Sequence, residues 1–434
     1  MDYKEALAYL EELSVFGIQL GLGRIERLLS MLDMPQSRYR AVHVTGTNGK
    51  GSVSVMVAGI LRASSIRTGL YTSPHLESYT ERIQVDGQPI SEQEFADCLS
   101  AVRVYVDQMV AEGEECPTQF EVITAVAFFY FAMRHVEYAV IEVGLGGLLD
   151  STNVIHPDVS VITNVSLEHA DKCGGTLEGV AHHKAGIIKK GVPVVTAAKG
   201  MPLDIIRREA AEKNADVFVL GEEFSSEFVR MDGAVQTLEF TSALLGMRKE
   251  AYDLRLLGIH QVENSAVALM AAVLLHHTDE RIDFDSARKA FRLISWPGRF
   301  ERMEVGSQQV VLDGAHNPAG VRMLRATLDR YFPTEPRTFL LGILRDKSVE
   351  AMLQMLLREG DAVVVTEPPS ERAARAEEVA DLAGQCASFV EALAMPEAAL
   401  ERALELADGK GILVIAGSLY LIGDIRSRLL QRRG

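Results

Sequence analysis

The sequence predicts an α/β protein of two domains, and three observations carry that prediction. Short apolar runs rich in Val and Ile alternate with helical patterns from about residue 40 onward, as parallel strands covered on both faces by crossover helices require. A Gly-rich segment, Val42-His-Val-Thr-Gly-Thr-Asn-Gly-Lys-Gly-Ser52, joins the first such run to a helix. Ser295-Trp-Pro-Gly-Arg299 holds the only tryptophan and a Pro-Gly pair, at the point where a helical segment stops and a fresh series of strands begins. A chain of 434 residues also exceeds the usual size of one hydrophobic core. The expected domains are therefore 1–295 and 296–434.

The chain opens on Met-Asp-Tyr-Lys-Glu-Ala-Leu-Ala-Tyr-Leu-Glu-Glu-Leu13, an amphipathic helix pattern without the basic start and apolar run of a signal peptide. Strands are expected at 40–44, 68–71, 138–143, 159–163, 192–196 and 216–220, where short apolar runs are bounded by turn residues. Helices read through 52–63, 91–112 and 121–133. Residues 224–258 lose the helical period and alternate instead, which predicts a small antiparallel excursion before a helix over 261–276. Past the boundary, strands at 310–313, 338–343, 362–366 and 411–417 are separated by helices rich in Ala, Leu, Glu and Arg. The second domain reads as a smaller doubly wound set, and no internal repeat is visible.

Composition narrows the class. Hydrophobic residues at 47% with 24% charged residues describe an ordinary globular chain, which excludes disordered and low-complexity readings. Sixty acidic against 44 basic residues give a net charge of −16, which repels a phosphate backbone and argues against nucleic acid as the main partner. Cys98, Cys116, Cys173 and Cys386 form no CxxC pair, arguing against a zinc site or a disulfide scaffold and fitting a reducing cytoplasm. No apolar stretch approaches the ~18 residues of a membrane helix. A soluble, cytoplasmic protein without a membrane partner is expected, and a monomer.

The Gly-rich loop is the chemical centre of the sequence. A strand running into such a loop and then a helix aims backbone N–H groups and a helix N-terminus at a phosphate, with Lys50 as the point charge for the outer phosphates. Thr47, Asn48, Gly49, Lys50, Gly51 and Ser52 are the expected ATP-binding residues. Against the usual G-x-x-x-x-G-K-[ST] pattern the loop departs twice: Val44 stands where the first Gly belongs, and Gly51 where a metal-binding hydroxyl belongs.

With Tyr71-Thr-Ser-Pro-His-Leu76 and Glu81-Arg-Ile83, the run His-Val-Thr-Gly-Thr-Asn-Gly-Lys-Gly-Ser resembles folylpolyglutamate synthase, often bifunctional with dihydrofolate synthase, within the Mur ligase superfamily. The likeness continues through Leu20-Gly-Leu-Gly-Arg-Ile25, Glu142-Val-Gly-Leu-Gly-Gly147, Lys184-Ala-Gly-Ile-Ile-Lys189, Asp313-Gly-Ala-His-Asn-Pro318 and Gly417-Ser-Leu-Tyr-Leu421. The resemblance implies a P-loop, Mur-ligase-like ATPase domain and a smaller Rossmann-like C-terminal domain. It also implies ATP-dependent amide formation: a carboxylate of a reduced folate or of dihydropteroate is phosphorylated, and L-glutamate displaces the phosphate. The sequence leaves open which of the two acceptors is used, or whether both are.

Bringing a carboxylate against a triphosphate demands divalent metal and fixed cations, and oxygen ligands suit Mg²⁺. The resemblance makes Ser73, Glu142, His169 and Lys184 the metal set, with Lys184 carbamylated by CO2. A hydroxyl at Ser73 would explain the glycine at 51. It places Asn264, Arg299 and Asp313 around the nucleotide, and His316 near the incoming glutamate, as a catalytic residue beside Lys50 and Lys184. Asp313 and His316 are also readable as caps of the helix that follows. Ser418 is an anion-binding residue at a helix N-terminus or an N-cap alone. Asp150 and Asn153 are read as contacts to a substrate edge, while Asp-Ser-Thr-Asn is equally an ordinary turn and cap.

Three departures from the family pattern stand out: Glu168 before His169, His182-His183 where an acid usually precedes the lysine, and Leu148 where an arginine is common. Two rival readings are weaker. A nucleotide switch needs no Ser73, Glu142, His169 and Lys184 set, and the chain has no N-K-x-D guanine signature. A peptidoglycan ligase would lack the early Tyr-Thr-Ser-Pro-His block.

Overall fold

The strand Arg40–Thr45 is buried along all but its first residue and lies inside an eight-stranded sheet. From one edge the sheet runs Gln88–Pro89, Ile83–Val85, Thr68–Tyr71, Tyr138–Glu142, Arg40–Thr45, Val159–Ile162, Val194–Thr196 and Val217–Val219. The last six are parallel; the first two are added antiparallel at the edge. Chain order reverses around Arg40–Thr45, whose neighbours belong to later parts of the chain. Such a switch point opens a crevice at the carboxyl ends of the strands, and the Gly-rich loop leaves from that end.

The computed structural model describes residues 1–167, 172–409 and 411–432. They form two compact units: Met1–Arg255 with Gln261–Ile294, and Leu256–His260 with Ser295–Gly434. The short segment Leu256–His260 goes with the second because Leu257 is buried in that unit's core and the Gly258 N–H donates to the Tyr331 hydroxyl at 3.3 Å.

In the first unit, helices start where side chains cap them. Ser91 with Glu94 and Thr118 with Glu121 form reciprocal capping boxes for Glu92–Ala111 and Gln119–Met133. The second of these is apolar almost all round, so it is buried almost all round, and its Val122, Val126 and Phe131 pack into the core with Tyr71 and Ile141. The alternating stretch forms the antiparallel strands Phe224–Asp232, Val235–Ser242 and Met247–Leu254. The helix that follows spans Ile259–His276.

The second unit carries a six-stranded sheet in the order Glu301–Val305, Gln308–Asp313, Ile412–Ala416, Arg337–Leu341, Ala362–Val365 and Phe389–Ala392, parallel except for its first strand. The two outer strands were not expected from the sequence. Both are partly exposed edges with mixed polar composition, so neither reads as an apolar run. Among the described residues no helix is long and apolar enough to cross a membrane.

Candidate active site

The Gly-rich loop is braced by the end of an expected strand, through two residues whose role the sequence did not mark. Thr163 and Asn164 follow Val159–Ile162. The Thr47 N–H donates to the Asn164 carbonyl at 2.9 Å, and the Asn48 N–H to Asn164 Oδ1 at 3.0 Å. Thr163 Oγ1 and Asn164 Nδ2 both donate to the Asn48 carbonyl, at 2.6 and 2.9 Å. A Cβ on Gly46 would collide with Thr163 Oγ1, so the loop reaches this contact only with glycine there. A polar pair at the carboxyl end of a buried parallel strand was the available signal.

The helix Lys50–Ala63 begins at Gly49, which holds φ +84° and provides no side-chain cap. The first-turn N–H groups therefore have neither a preceding turn nor a capping side chain, and the positive end of the helix dipole is open to an anion. Lys50 Nζ folds over the loop, donating to the Gly46 and Thr47 carbonyls at 3.1 and 3.3 Å. From the helix Ile259–His276, Gln261 Nε2 donates to Ser52 Oγ at 3.2 Å and Asn264 Nδ2 to Gln261 Oε1 at 3.1 Å. Asn264 is thus brought to the loop, against Gly49; Gln261 is a third residue the sequence reading missed.

Glu142 ends the strand beside Arg40–Thr45, in register with Val44, and is buried. The Ser73 N–H donates to Glu142 Oε2 at 3.2 Å, which puts a hydroxyl and a carboxylate, two hard oxygen donors, next to the phosphate loop. Among the described residues no three His, Cys, Asp or Glu side chains cluster as a metal set. The donor chemistry here nevertheless fits Mg²⁺, which takes one or two carboxylates and completes its shell with water and phosphate oxygens. His169 lies outside the described residues. Lys184 is buried on the helix Leu177–Ala185, and the preceding residue's carbonyl, that of His183, accepts the Leu148 N–H at 2.7 Å.

Asp150 and Asn153 lie in a turn, with Asp150 capping Ser151–Val154. Asp150 Oδ2 accepts the Leu145 N–H at 2.8 Å, while Oδ1 accepts the Thr152 N–H at 3.0 Å and its hydroxyl at 2.6 Å. Burial pushes the Asp150 carboxyl up, and these hydrogen bonds oppose it. Asn153 Nδ2 donates to the Leu148 and Gly186 carbonyls at 3.0 and 3.2 Å. Both side chains hold the loop after Glu142 together.

In the second unit, Asp313 Oδ2 accepts the Phe300 N–H and Oδ1 the Ala315 N–H, each at 2.9 Å. Burial raises its carboxyl, and the nearby Arg299 opposes the shift. Asp313 therefore pins the segment that carries Arg299 to the start of the Gly314–Asn317 turn. The cap of the helix Pro318–Tyr331 is neither Asp313 nor His316 but Asn317, whose Oδ1 accepts the Gly320 N–H at 2.8 Å. His316 is half-buried, with Nδ1 2.7 Å from the Gly314 carbonyl. A carbonyl only accepts, so Nδ1 carries the proton and Nε2 is the acceptor of the neutral ring. Ser418 is buried and caps Leu419–Gln431 through the Leu421 N–H at 3.2 Å.

Residues 44–272 match the Mur ligase middle domain family, and residues 299–429 the dihydrofolate synthetase C-terminal domain. The chain is 34% identical to the dihydrofolate synthase/folylpolyglutamate synthase of Bacillus subtilis, over 98% of its own length and 99% of the relative's. The chain belongs to the folylpolyglutamate synthase/dihydrofolate synthase family of Mur ligases. It is 36% identical to folylpolyglutamate synthase of Lacticaseibacillus casei, over 99% of each chain. Its fold superposes on Mycobacterium tuberculosis folylpolyglutamate synthase, solved in complex with ADP and AMPPCP, with a TM-score of 0.89 at 32% identity over 99% of each chain. An α/β, P-loop ligase architecture is what the family and the sheets described above share.

Proposed function

We propose that this protein is an ATP-dependent ligase that adds L-glutamate to the carboxylate of reduced folates, through an acyl phosphate, and that it also accepts dihydropteroate. The observation that carries the reading is the juxtaposition in the first unit: an uncapped helix N-terminus under Lys50, beside a buried Glu142 that is hydrogen-bonded to Ser73. That is an apparatus for bringing a triphosphate to a carboxylate. Family membership and a relative solved with ADP and AMPPCP support the same substrate class.

Backbone N–H groups at Lys50 to Ser52 and the Lys50 ammonium receive the phosphate oxygens, and Asn264 closes the loop at Gly49. An acceptor carboxylate oxygen attacks the γ-phosphorus and ADP leaves; the glutamate amine then attacks the acyl carbon and inorganic phosphate leaves. Ser73 and Glu142, with His169 and a carbamylated Lys184, would hold Mg²⁺, which screens the repulsion between carboxylate and triphosphate. Positioning and charge neutralisation dominate such phosphoryl transfers. From the second unit, Arg299 and Asp313 serve the nucleotide and Ser418 the glutamate carboxylate. His316 takes the proton that the amine must lose.

The test is mass-resolved product formation with ATP, Mg²⁺ and L-glutamate, offering dihydropteroate in one reaction and tetrahydrofolate in another. One added glutamate on the first and several on the second establish both activities. Product from tetrahydrofolate alone removes the dihydropteroate activity. ADP release that needs some other acceptor keeps the ligase chemistry and removes the folate assignment.

A further inference from the structure

We infer that His43 is a positioning residue: it is the donor end of a buried chain running through Thr152 to Asp150, and that chain sets the loop after Glu142 against the helix carrying Lys184. The inference rests on the nucleotide and metal reading above, and it concerns side chains that the reading leaves unused.

The direction of the chain follows from donor and acceptor counting. Asp150 accepts from the Leu145 N–H, the Thr152 N–H and the Thr152 hydroxyl, with the Gly144 backbone as a further donor, as an ionised, acceptor-only carboxylate does. Thr152 has a single hydroxyl hydrogen, and at 2.6 Å it is spent on Asp150. Its oxygen is then open to a donor, and His43 Nε2 stands 2.9 Å away. His43 is therefore the Nε2–H tautomer. It is fully buried in the strand that feeds the phosphate loop, and its Nδ1 has no partner among the described residues. A buried nitrogen left unpaired calls for an explanation, and a histidine serving only as packing would be better replaced by an apolar residue. What histidine supplies is reach and a hydrogen-bond donor, from inside the sheet to Thr152.

The loop this chain controls is tied both to the strand that feeds the phosphate loop and to the helix carrying Lys184. The Gly146 carbonyl accepts Thr45 Oγ1 at 2.7 Å, and Leu148 N–H donates to the His183 carbonyl at 2.7 Å. Gly147 permits the second contact, since a Cβ there would lie 2.7 Å from that same carbonyl. Asp150 closes the loop between these ties, so the spacing of Glu142 from Lys184 depends on its carboxylate staying where Thr152 and His43 hold it. Partners that orient ligands in this way are commonly worth about tenfold or more in metal affinity.

The experiment uses the full chain and two readouts. In protein labelled with ¹⁵N-histidine, one imidazole should show a protonated Nε2 and a bare Nδ1, unchanged between pH 7.5 and 5.5; in Thr152→Val that ring should become a mixture of tautomers. Mn²⁺ binding in the presence of AMPPCP, read by electron paramagnetic resonance without turnover, should weaken about tenfold in Thr152→Val and in His43→Asn, whose amide stops at the Nδ1 position. Thr152→Ser and His43→Gln, which keep the hydroxyl and the distal N–H, should stay within threefold of wild type. If Thr152→Val does not fold, the His43→Asn and His43→Gln pair decides the matter. Folded variants that all bind Mn²⁺ as wild type does overturn the positioning role alone. Wild-type protein that binds no Mn²⁺ with the nucleotide overturns the metal reading, and the positioning role with it.

Discussion

Asn264 Oδ1 stands 2.5 Å from where a Cβ on Gly49 would lie, so the amide of one helix fills the space that any side chain at the start of another would need. Gly49 also holds φ +84°, a conformation that costs an L-residue about 1–2 kcal/mol. Gly49→Ala meets both obstacles. It should weaken AMPPCP binding, measured by calorimetry, by at least about tenfold. Adding Asn264→Ala removes the collision but not the backbone strain, so recovery should be partial. Full affinity in Gly49→Ala alone would mean that the helix start is not where phosphate binds.

Lys50→Ala tests the same site through charge. Among the described residues Lys50 Nζ donates to two loop carbonyls, at 3.1 and 3.3 Å, so little of the fold hangs on it. Melting temperature should hold, while kcat for ATP-dependent ligation falls by about a hundredfold or more, as loss of a cation on a transferred phosphoryl group implies. Unchanged turnover would remove the phosphate-loop assignment.

Ser73→Ala separates the metal from the nucleotide. The Ser73 backbone N–H, not its hydroxyl, holds Glu142 at 3.2 Å, so the substitution leaves the carboxylate in place and deletes one oxygen donor. The Mg²⁺ concentration for half-maximal activity should rise by about tenfold, with KM for the acceptor unchanged. A Mg²⁺ titration that overlays wild type would show that Ser73 does not replace the hydroxyl missing at Gly51.

How much of this was legible in the sequence depends on whether the signal is local. The parallel strands were visible because burial on both faces makes each one an uninterrupted apolar run, as in Val159–Ile162 and Ile412–Ala416. Glu301–Val305 and Phe389–Ala392 lie at sheet edges with polar residues on them, and no such run marks them. The loop's own residues were legible for a similar reason, being contiguous. Its braces were not: Thr163, Asn164 and Gln261 meet the loop only through the fold. Leu256–His260 joins the second unit through Leu257 and Gly258, a tertiary preference with no mark in composition. Asn317 takes the helix cap that was the alternative reading of Asp313 and His316, because it is the residue directly before the helix Pro318–Tyr331.

The buried His43 also predicts how stability responds to acid. Burial, with a smaller contribution from Lys189, lowers its folded pKa from 6.5 to about 3. Between those values the unfolded chain holds more protons than the folded one, so stability rises with pH. The contribution is complete above pH 6.5 and is lost as pH falls toward 3. One such group accounts for about 2 kcal/mol between pH 6.5 and 4.5. Urea unfolding of wild type should therefore lose about that much more than His43→Gln over this interval. Parallel losses in the two proteins would mean that the imidazole is not kept neutral by the fold.

Leu148 is where this chain departs from the arginine common in its family, and its surroundings let the consequence be argued. Its backbone is fixed, through the N–H on the His183 carbonyl, and its Cα and Cβ stand over Gly186, where even a methyl group would collide. One methyl, Cδ1, also lies against Gly186, but the residue as a whole is 43% exposed, so Leu148→Arg can send its guanidinium to solvent without burying charge. Stability should change by no more than about 0.5 kcal/mol. The loop leads from Glu142; if it lines the acceptor's approach, as the proposed function implies, a cation there lowers KM for dihydropteroate by about threefold to tenfold, an exposed charge contributing about 1 kcal/mol. The KM for ATP should stay put, because the phosphate loop is braced by Thr163 and Asn164 rather than by this segment. If neither acceptor's KM moves in steady-state kinetics, position 148 does not face the acceptor, and the departure from the family pattern carries no consequence for substrate choice.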